Sequence, residues 1–458
     1  MIRKRVSSSF RDPSGFLFTE DGEIYRQINQ SYRTHYDYFI ESGLYEKLIK
    51  NNLLVKQTEI SQDLEGSSQD YYKLIKPEKL PFISYPHEWC FDELKDAALA
   101  TLKIQKVALE HGMSLKDASA FNIQFKDGRP VLIDTLSFEK YKRGSPWIAY
   151  RQFCQHFLGP LALMYYRDQR LNQLFRIYID GLPLDLVSAL LPKRTFCRVA
   201  ILIHIHLHAK AQKYYSHRTL DKTRQNVKRQ SMFGIIDNLE AAIRKFSYKL
   251  PESEWSNYYE DLHYSSAALS HKSILVSNVL DKLKPKTVWD FGANTGLFSR
   301  LAGNRGIPTV AFDIDHAAVT INYRECREKN QTNLLPLVLD LANPTSGFGW
   351  ANQERMSLRE RGPVDLALAL ALLHHLRISD NIPLEKIARF FAEICQWCLI
   401  EYIPKSDPMV QKLLKNREDI FHDYYEKDFE QIFNNYFQQI DRYNIDDSDR
   451  KLYFYQKR

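Results

Sequence analysis

The sequence lacks the features that mark membrane-spanning, secreted and low-complexity proteins. Its 458 residues contain no apolar run near the roughly 18 residues that a membrane span needs. The basic amino terminus has no apolar segment that could serve as a signal peptide. Six cysteines occur without the spacing of a disulfide framework, and no internal repeat is present. We therefore expect a globular protein of the reducing cytoplasm.

Concentrated charge of one sign is also scarce. The 63 lysines and arginines exceed the 56 acidic residues by only 7 over the whole chain. A nucleic-acid-binding protein usually gathers its positive charge on one face, so a nucleic-acid partner is possible but not favoured. The polar, basic segment 209–230 predicts an exposed helix end and a linker.

The length exceeds that of one ordinary core, and we divide the chain into three parts. Residues 1–210 predict an α+β domain, 211–255 a basic linker with an amphipathic helix, and 256–458 an α/β domain. From residue 265 onward, short apolar runs alternate with helical stretches, which is typical of a parallel sheet with right-handed crossovers. The last two runs, 437–445 and 451–457, flank the polar turn D-D-S-D-R and predict an antiparallel hairpin. The predicted fold class of this part is therefore a Rossmann-like α/β sheet with a terminal antiparallel hairpin.

The strongest motif is V-W-D-F-G-A-N-T-G, residues 288–296, between a predicted strand and a predicted helix. Gly292 allows a sharp turn and a close approach to a ligand, and Gly296 does the same at the helix entry. The motif resembles motif I of class I methyltransferases that depend on S-adenosylmethionine. The resemblance implies that Asp290 lies near the methionine part of this cofactor. Asn294 stands at the position of the middle glycine and is counted with the cofactor-binding loop.

Acids recur at the ends of the next two predicted strands. Asp313 can accept hydrogen bonds from both ribose hydroxyls, because ligands of such sheets bind outside the carboxyl ends of the strands. The methyltransferase resemblance implies that Asp340 binds the adenine amino group, and Leu341 is counted with it. A nicotinamide-binding domain would need G-x-G-x-x-G, which G-A-N-T-G does not supply.

Catalytic candidates follow the fourth and fifth predicted strands. The sulfonium of the cofactor is already reactive, so the protein mainly has to align the acceptor and exclude water. A hydroxyl acceptor would benefit from a base with a pKa near neutrality, which suggests His374 or His375, of which one should face the site. Glu401 is a weaker candidate.

The favoured function is methyl transfer to an oxygen or nitrogen of a small or medium-sized molecule. No N-P-P-Y-type motif follows the fourth strand, which disfavours methylation of amide or exocyclic base nitrogens. Methylation of RNA or protein, with the front domain as a platform, and a non-catalytic protein that senses S-adenosylmethionine both stay open.

Two segments near the carboxyl terminus extend the resemblance. L-I-E-Y-I-P-K-S-D-P, residues 399–408, and N-R-E-D-I-F-H-D-Y, residues 416–424, resemble a bacterial methyltransferase group that includes nodulation-associated proteins. This narrower resemblance covers most of the chain, but it identifies no acceptor.

The front part carries a separate motif. Asp117 and Asn122 are separated by four residues, and a predicted hairpin then leads to Asp134. This pattern resembles the D-x-x-x-x-N loop and the metal-binding acid of kinase-like phosphotransferases. The resemblance implies that Asp117 orients an accepting hydroxyl, while Asn122 and Asp134 hold magnesium. No glycine-rich phosphate loop is visible, and D-T-L stands where D-F-G would be. Two interpretations stay open: an active phosphotransferase, and a kinase-like fold that has lost its phosphotransferase activity. We assign no other metal site.

Overall fold

The computed structural model describes residues 3–61, 70–210, 227–250, 265–415 and 417–458. The chain divides into two compact units: the first is Met1–Lys249 with Phe348–Arg355, and the second is Leu250–Gly347 with Met356–Arg458. Much of the linker predicted for 211–255 lies outside the described residues. Within the described ranges, no helix is both long enough and apolar enough to cross a membrane.

The first unit begins with a five-stranded antiparallel sheet in the order β1-β2-β3-β5-β4. Its strands are β1 Lys4–Arg5, β2 Gly15–Glu20, β3 Glu23–Asn29, β4 Gln57–Ile60 and β5 Tyr71–Pro77. Asp21 and Gly22 join β2 to β3 with φ of 52° and 79°. Two positive φ values are the mark of a tight hairpin turn, so Asp21 and Gly22 close the hairpin of β2 and β3.

A long helix and two small sheets follow. Strand β6, Met113–Leu115, pairs with β9, Phe138–Lys140, and the hairpin of β7, Ile123–Lys126, and β8, Arg129–Leu132, lies between them in the chain. The helices of this unit are α1 Arg33–Glu41, α2 Leu44–Lys50, α3 Phe91–Glu110, α4 Tyr150–Phe153, α5 Gly159–Tyr166, α6 Leu184–Leu190, α7 Val199–Ile201 and α8 Arg229–Lys245. The π-helical turn Cys154–Leu158 joins α4 to α5.

Helix α8 is the amphipathic helix predicted after the linker. Its buried face consists of Met232, Ile236, Leu239 and Ile243, spaced three and four residues apart. Ile235 lies one position away from this stripe and is 39% exposed.

The second unit contains a seven-stranded sheet in the order β12-β11-β10-β13-β14-β16-β15. The strands are β10 Val288–Phe291, β11 Thr309–Asp313, β12 Leu334–Val338, β13 Val364–Ala369, β14 Cys395–Tyr402, β15 Phe437–Asn444 and β16 Lys451–Lys457. The first five in sheet order are parallel, and β16 runs antiparallel to both β14 and β15. The predicted Rossmann-like sheet with a terminal hairpin is therefore confirmed.

Helices connect these strands. They are α9 Ser266–Leu283, α10 Leu297–Gly303, α11 His316–Glu328, α12 Leu358–Arg361, α13 Leu384–Ile394, α14 Pro408–Leu414 and α15 Glu426–Asn434. Sequence patterns did not predict α14 and α15. Strand β13 lies between β10 and β14, and its run of leucine and alanine is buried because helices cover both faces of such a sheet.

Truncation of Leu368 tests this packing. Leu368 is fully buried in the core of the second unit, so Leu368→Ala should lower the free energy of unfolding by about 2–5 kcal/mol in urea denaturation. Ile274→Ala is the control, because Ile274 is 56% exposed and its loss should change stability by less than about 0.5 kcal/mol. Equal stabilities of the two variants would contradict the packing of β13.

Candidate active site

The loop after β10 makes a sharp turn. Its backbone N–H groups at Gly292 and Ala293 both donate to the carbonyl oxygen of Phe312 on β11, each at 2.9 Å. Gly292 has φ of 73°, and a Cβ added there would be 3.4 Å from the nearest atom, on Leu372. The absence of a Cβ therefore keeps the space above the loop open.

Gly296 serves packing rather than ligand access. A Cβ on Gly296 would fall 2.5 Å from the side-chain amide of Asn322 on α11, and φ of Gly296 is 86°. Gly296 is also absent from the cavity lining. The expectation that this glycine opens the backbone to a ligand does not fit the structure, because its hydrogen atom faces a neighbouring helix.

A cavity of about 320 Å³ lies at the carboxyl ends of β10, β11, β12 and β13. Among the predicted site residues, the lining includes Asp290, Gly292, Asn294, Asp313, Asp340, Leu341 and His375. It does not include His374 or Glu401. The fold thus brings together residues from four strand ends that are up to 85 positions apart in the chain.

Asp290 is a buried acid at the end of β10. Only 1% of the residue is exposed, and its carboxylate accepts a hydrogen bond from Ser299 Oγ at 2.6 Å. Burial raises the pKa of Asp290 to about 6, against the lowering effects of Ser299 and Lys272. A carboxylate held in such surroundings is poised to accept a hydrogen bond from a cationic ligand.

Asp313 fixes the loop on the neighbouring strand. One carboxylate oxygen accepts from the backbone N–H of Asn294 at 2.7 Å, and the other accepts from that of Asp315 at 2.9 Å. Burial raises the pKa of Asp313 to about 6, although these backbone hydrogen bonds lower it. Each carboxylate oxygen has two lone pairs, so both oxygens can accept a further bond from a ligand hydroxyl.

The side chain of Asn294 closes the turn. Asn294 has φ of 51°, and its Oδ1 accepts from the backbone N–H of Thr295 at 2.7 Å. Asparagine tolerates the left-handed conformation better than most residues, which explains its place where the motif usually has glycine.

Two acids lie on the wall formed after β12 and β13. Asp340 accepts from the backbone N–H of Ala342 at 2.9 Å. Asp380, which sequence reasoning missed, also lines the cavity. Burial, followed by repulsion from Asp340, raises the pKa of Asp380.

The two consecutive histidines differ in position. His375 begins the π-helical turn His375–Ser379 and lines the cavity, whereas His374 is fully buried outside it. Neither ring nitrogen of His374 has a hydrogen-bond partner among the described residues. Burial lowers the pKa of His375 to about 4, so its ring is neutral near pH 7. The expected pKa near neutrality is not found, because the ring is desolvated.

Glu401 belongs to a buried ion pair. Its Oε2 accepts from Lys272 Nζ at 2.6 Å and from the backbone N–H of Ala371 at 2.7 Å, and the residue is fully buried. A catalytic contact with substrate does not fit this geometry. Lys272 itself lines the cavity and was missed. Lys272 lies on the buried stripe of α9 together with Ala268, Val276 and Val279. A lysine in this otherwise apolar stripe is the sequence signal that could have identified it.

The residues of the kinase-like motif are close together in the first unit. Asp117 accepts from the backbone N–H of Ser119 at 2.9 Å and from Gln152 Nε2 at 2.7 Å, and it bonds to the Asn122 side chain. Burial and then repulsion from Asp134 raise the pKa of Asp117. The order of elements in this unit resembles that of kinase-like phosphotransferases.

The assignment of magnesium to Asn122 and Asp134 stays a prediction, and Asp134 has several protein partners in this structure. Asp134 is paired with Arg26 of β3 and also accepts from Ser137 Oγ and the backbone N–H of Leu136. Although burial raises the pKa of Asp134, Arg26 and these bonds lower it below its ordinary value. Among the described residues, no group of three or more His, Cys, Asp or Glu side chains could hold a metal ion.

The strand order, the loop after β10 and the acids at neighbouring strand ends define the class of the protein. It is a Rossmann-like methyltransferase that uses S-adenosylmethionine. The chain belongs to the family of the nodulation protein NoeA of Rhizobium meliloti (strain 1021), to which it is 31% identical over 460 residues. That alignment covers 99% of this chain and 96% of NoeA.

Other comparisons are more distant. No family model matches the sequence. The crystal structure of WbdD is 16% identical, with a TM-score of 0.30, and the match covers 45% of this chain and 43% of WbdD. The N-methyltransferase NodS from Bradyrhizobium japonicum WM9 is 11% identical, with a TM-score of 0.31, over 42% of this chain and 98% of NodS.

The raised pKa values of Asp290 and Asp313 predict a pH dependence of cofactor binding. Both carboxyls have a pKa of about 6, so they lose their charge as the pH falls below that value. The α-ammonium of the cofactor stays protonated between pH 5 and 7. Loss of either charge would weaken binding about tenfold between pH 7 and pH 5, so the dissociation constant for S-adenosylmethionine should rise about 10- to 100-fold in calorimetry.

The matched variant for this measurement is Asp290→Asn, which removes one of the two titrating groups. Its affinity should be lower at pH 7 and should depend less on pH than that of the wild type. A wild-type dissociation constant that is unchanged between pH 5 and 7 would contradict the roles of both acids.

Proposed function

We propose that this protein transfers a methyl group from S-adenosylmethionine to an oxygen or nitrogen of a small or medium-sized acceptor, such as a glycan or a secondary metabolite. The observation that carries the proposal is the cavity at four neighbouring strand ends, which is lined by four aspartates and by a neutral histidine. When bound, the cofactor supplies a methyl group on a sulfonium, which is an activated donor.

The acids at successive strand ends match successive parts of this cofactor. We assign Asp290 to the ammonium of the methionine part and Asp313 to the two ribose hydroxyls. We assign Asp340 and Leu341 to the adenine, since they follow the next strand along the same edge. Gly292 leaves the space that this ligand needs, and Asn294 contributes through the backbone N–H that holds Asp313.

His375 is our candidate for the group that receives a proton from the acceptor. Methylation of a neutral hydroxyl produces a protonated ether, which is a strong acid. A histidine with a pKa of about 4 is neutral near pH 7 and basic enough to take that proton. Leu372 and Leu376 lie beside His375 in the cavity lining and would help to exclude water.

We also propose a cytoplasmic location, because none of the six cysteines, all of which the structure describes, forms a disulfide. The basic segment that suggested an RNA acceptor lies mostly outside the described residues, so no structural observation favours RNA. Pairing of Asp134 with Arg26 weighs against phosphotransfer in the first unit.

Filling the space above Gly292 tests the cofactor site. Gly292→Trp should weaken binding of S-adenosylhomocysteine at least about 100-fold in calorimetry, because the indole would occupy the cavity. Gly306→Trp is the matched control, since Gly306 also has positive φ, at 77°, but lies outside the cavity with no atom within 4 Å of an added Cβ. Equal affinity of the Gly292→Trp variant and the wild type would remove the assignment.

Replacement of His375 tests the methyl-transfer step. His375→Asn should lower the rate of labelled methyl transfer to cell-extract acceptors by about 100-fold or more, because the proton acceptor is lost. Affinity for S-adenosylhomocysteine should change by less than about threefold, because the acids that bind the cofactor remain. The exposed His422 provides the control variant His422→Asn.

The same assay distinguishes an enzyme from a sensor. Wild-type protein that binds the cofactor but never labels an extract component would indicate the sensor. Full activity of His375→Asn would show that His375 does not receive the proton.

A further inference from the structure

A buried lysine lines the cofactor cavity, and the assignments above give it no role. Lys272 on α9 is 2% exposed, and its Nζ donates to Glu401 Oε2 at 2.6 Å. The same Nζ lies 4.7 Å from the ring centroid of Phe298, which also lines the cavity. Burial of an ammonium is costly even when it is paired, so its place at a ligand cavity calls for a functional explanation.

The cavity has one source of fixed positive charge in its lining. Among the described residues that line it, Lys272 is the one lysine or arginine, while four lining residues are aspartates. Lys272 and Asp290 are close enough for their charges to stabilise each other. An ammonium and a carboxylate therefore both belong to residues that line this cavity.

This pair is complementary to an amino-acid head group. The methionine part of S-adenosylmethionine carries an ammonium and a carboxylate on one carbon atom. If Asp290 accepts from the ammonium, the adjacent carboxylate needs a cationic donor within a short distance, and hydrogen bonds between such charged groups are the strong ones. Lys272 is the lining residue that supplies this charge.

Glu401 holds the lysine in position. Its Oε2 accepts from both Lys272 Nζ and the backbone N–H of Ala371, the second at 2.7 Å, which ties the lysine to the end of β13. An ammonium has three donors, enough for Glu401 and a ligand carboxylate together. Arg450, which donates to Asp407 at 2.7 Å, lies 3.9 Å from the other oxygen of Glu401.

We propose that Lys272 binds the carboxylate of the methionine part of the cofactor, with Glu401 as its positioning residue. The assignment rests on the proposed cofactor site, because it completes the head group whose ammonium Asp290 accepts. It gives the cavity a preference for cofactors that retain the amino-acid carboxylate.

The experiment compares two ligands by calorimetry. S-adenosylhomocysteine has the carboxylate, and 5′-methylthioadenosine lacks the whole amino-acid group. Lys272→Met alone would remove the closer of the two cations beside the buried Glu401, and Glu401→Gln alone would leave Lys272 buried without its anion, so either single variant could unfold the protein. The comparison is therefore between the wild type and the double variant Lys272→Met with Glu401→Gln, which removes both charges.

The double variant should bind S-adenosylhomocysteine about 10- to 100-fold more weakly than the wild type does. Its affinity for 5′-methylthioadenosine should change by no more than about twofold, because that ligand offers nothing to Lys272. The control is Lys282→Met on the same helix, where the lysine is exposed and pairs with Asp441 at 2.8 Å. This control should change neither affinity.

Equal changes in the two affinities would overturn the proposal, because a merely structural lysine would affect both ligands alike. If the double variant does not fold, the test uses two ligands of the wild type. The carboxamide of S-adenosylhomocysteine should bind to the wild type at least about tenfold more weakly than S-adenosylhomocysteine itself. Equal binding of these two ligands would overturn the assignment. Failure of the wild type to bind either nucleoside would instead contradict the proposed cofactor site itself.

Discussion

The hydrogen bond from the backbone N–H of Asn294 to the carboxylate of Asp313 holds the site together. It ties the loop after β10 to the end of β11, while the second carboxylate oxygen accepts from Asp315 at the start of α11. The carboxylate therefore orders the turn that carries Gly292 and remains exposed to the cavity. Loss of either partner should disorder the loop and the proposed ribose subsite together, because the same acid belongs to both.

Burial determines the chemistry of the other groups in the cavity. Asp290 and Asp313 have raised pKa values, and His375 has a lowered one, because each charged form is poorly solvated. A cationic ligand would stabilise the charged forms of the two acids, so ligand binding and proton release are coupled. The same desolvation keeps His375 neutral at neutral pH, the state that its proposed role as acceptor of a proton from a strong acid requires.

Much of the second unit could be predicted from sequence because its signals are local. The strands are short apolar runs with acids at their ends, and the spacing of Gly292, Asp313 and Asp340 follows from the crossovers between them. Lys272 and Asp380 were missed because their roles depend on contacts between distant segments. The π-helical turn likewise determines which of the adjacent residues His374 and His375 faces the cavity. No hydrophobic periodicity in the sequence indicated this turn.

In the first unit, the spacing of the motif predicted which residues lie close together but not which partners they bind. Asp117, Asn122 and Asp134 are close together as the motif predicted, but the pairing of Asp134 with Arg26 depends on a strand more than 100 residues earlier. An arginine on β3 has no sequence signal that marks it as the partner of a distant acid. The magnesium site that the resemblance implied stays a prediction, and in this structure Asp134 is paired with Arg26 instead.

The most direct test of the proposed cofactor site is a crystal structure of the full chain with S-adenosylhomocysteine. We predict that both ribose hydroxyls lie within hydrogen-bonding distance of the Asp313 carboxylate and that the adenine lies beside Leu341. A structure in which the nucleoside is bound elsewhere, or in which side chains fill the cavity above Gly292, would contradict the account.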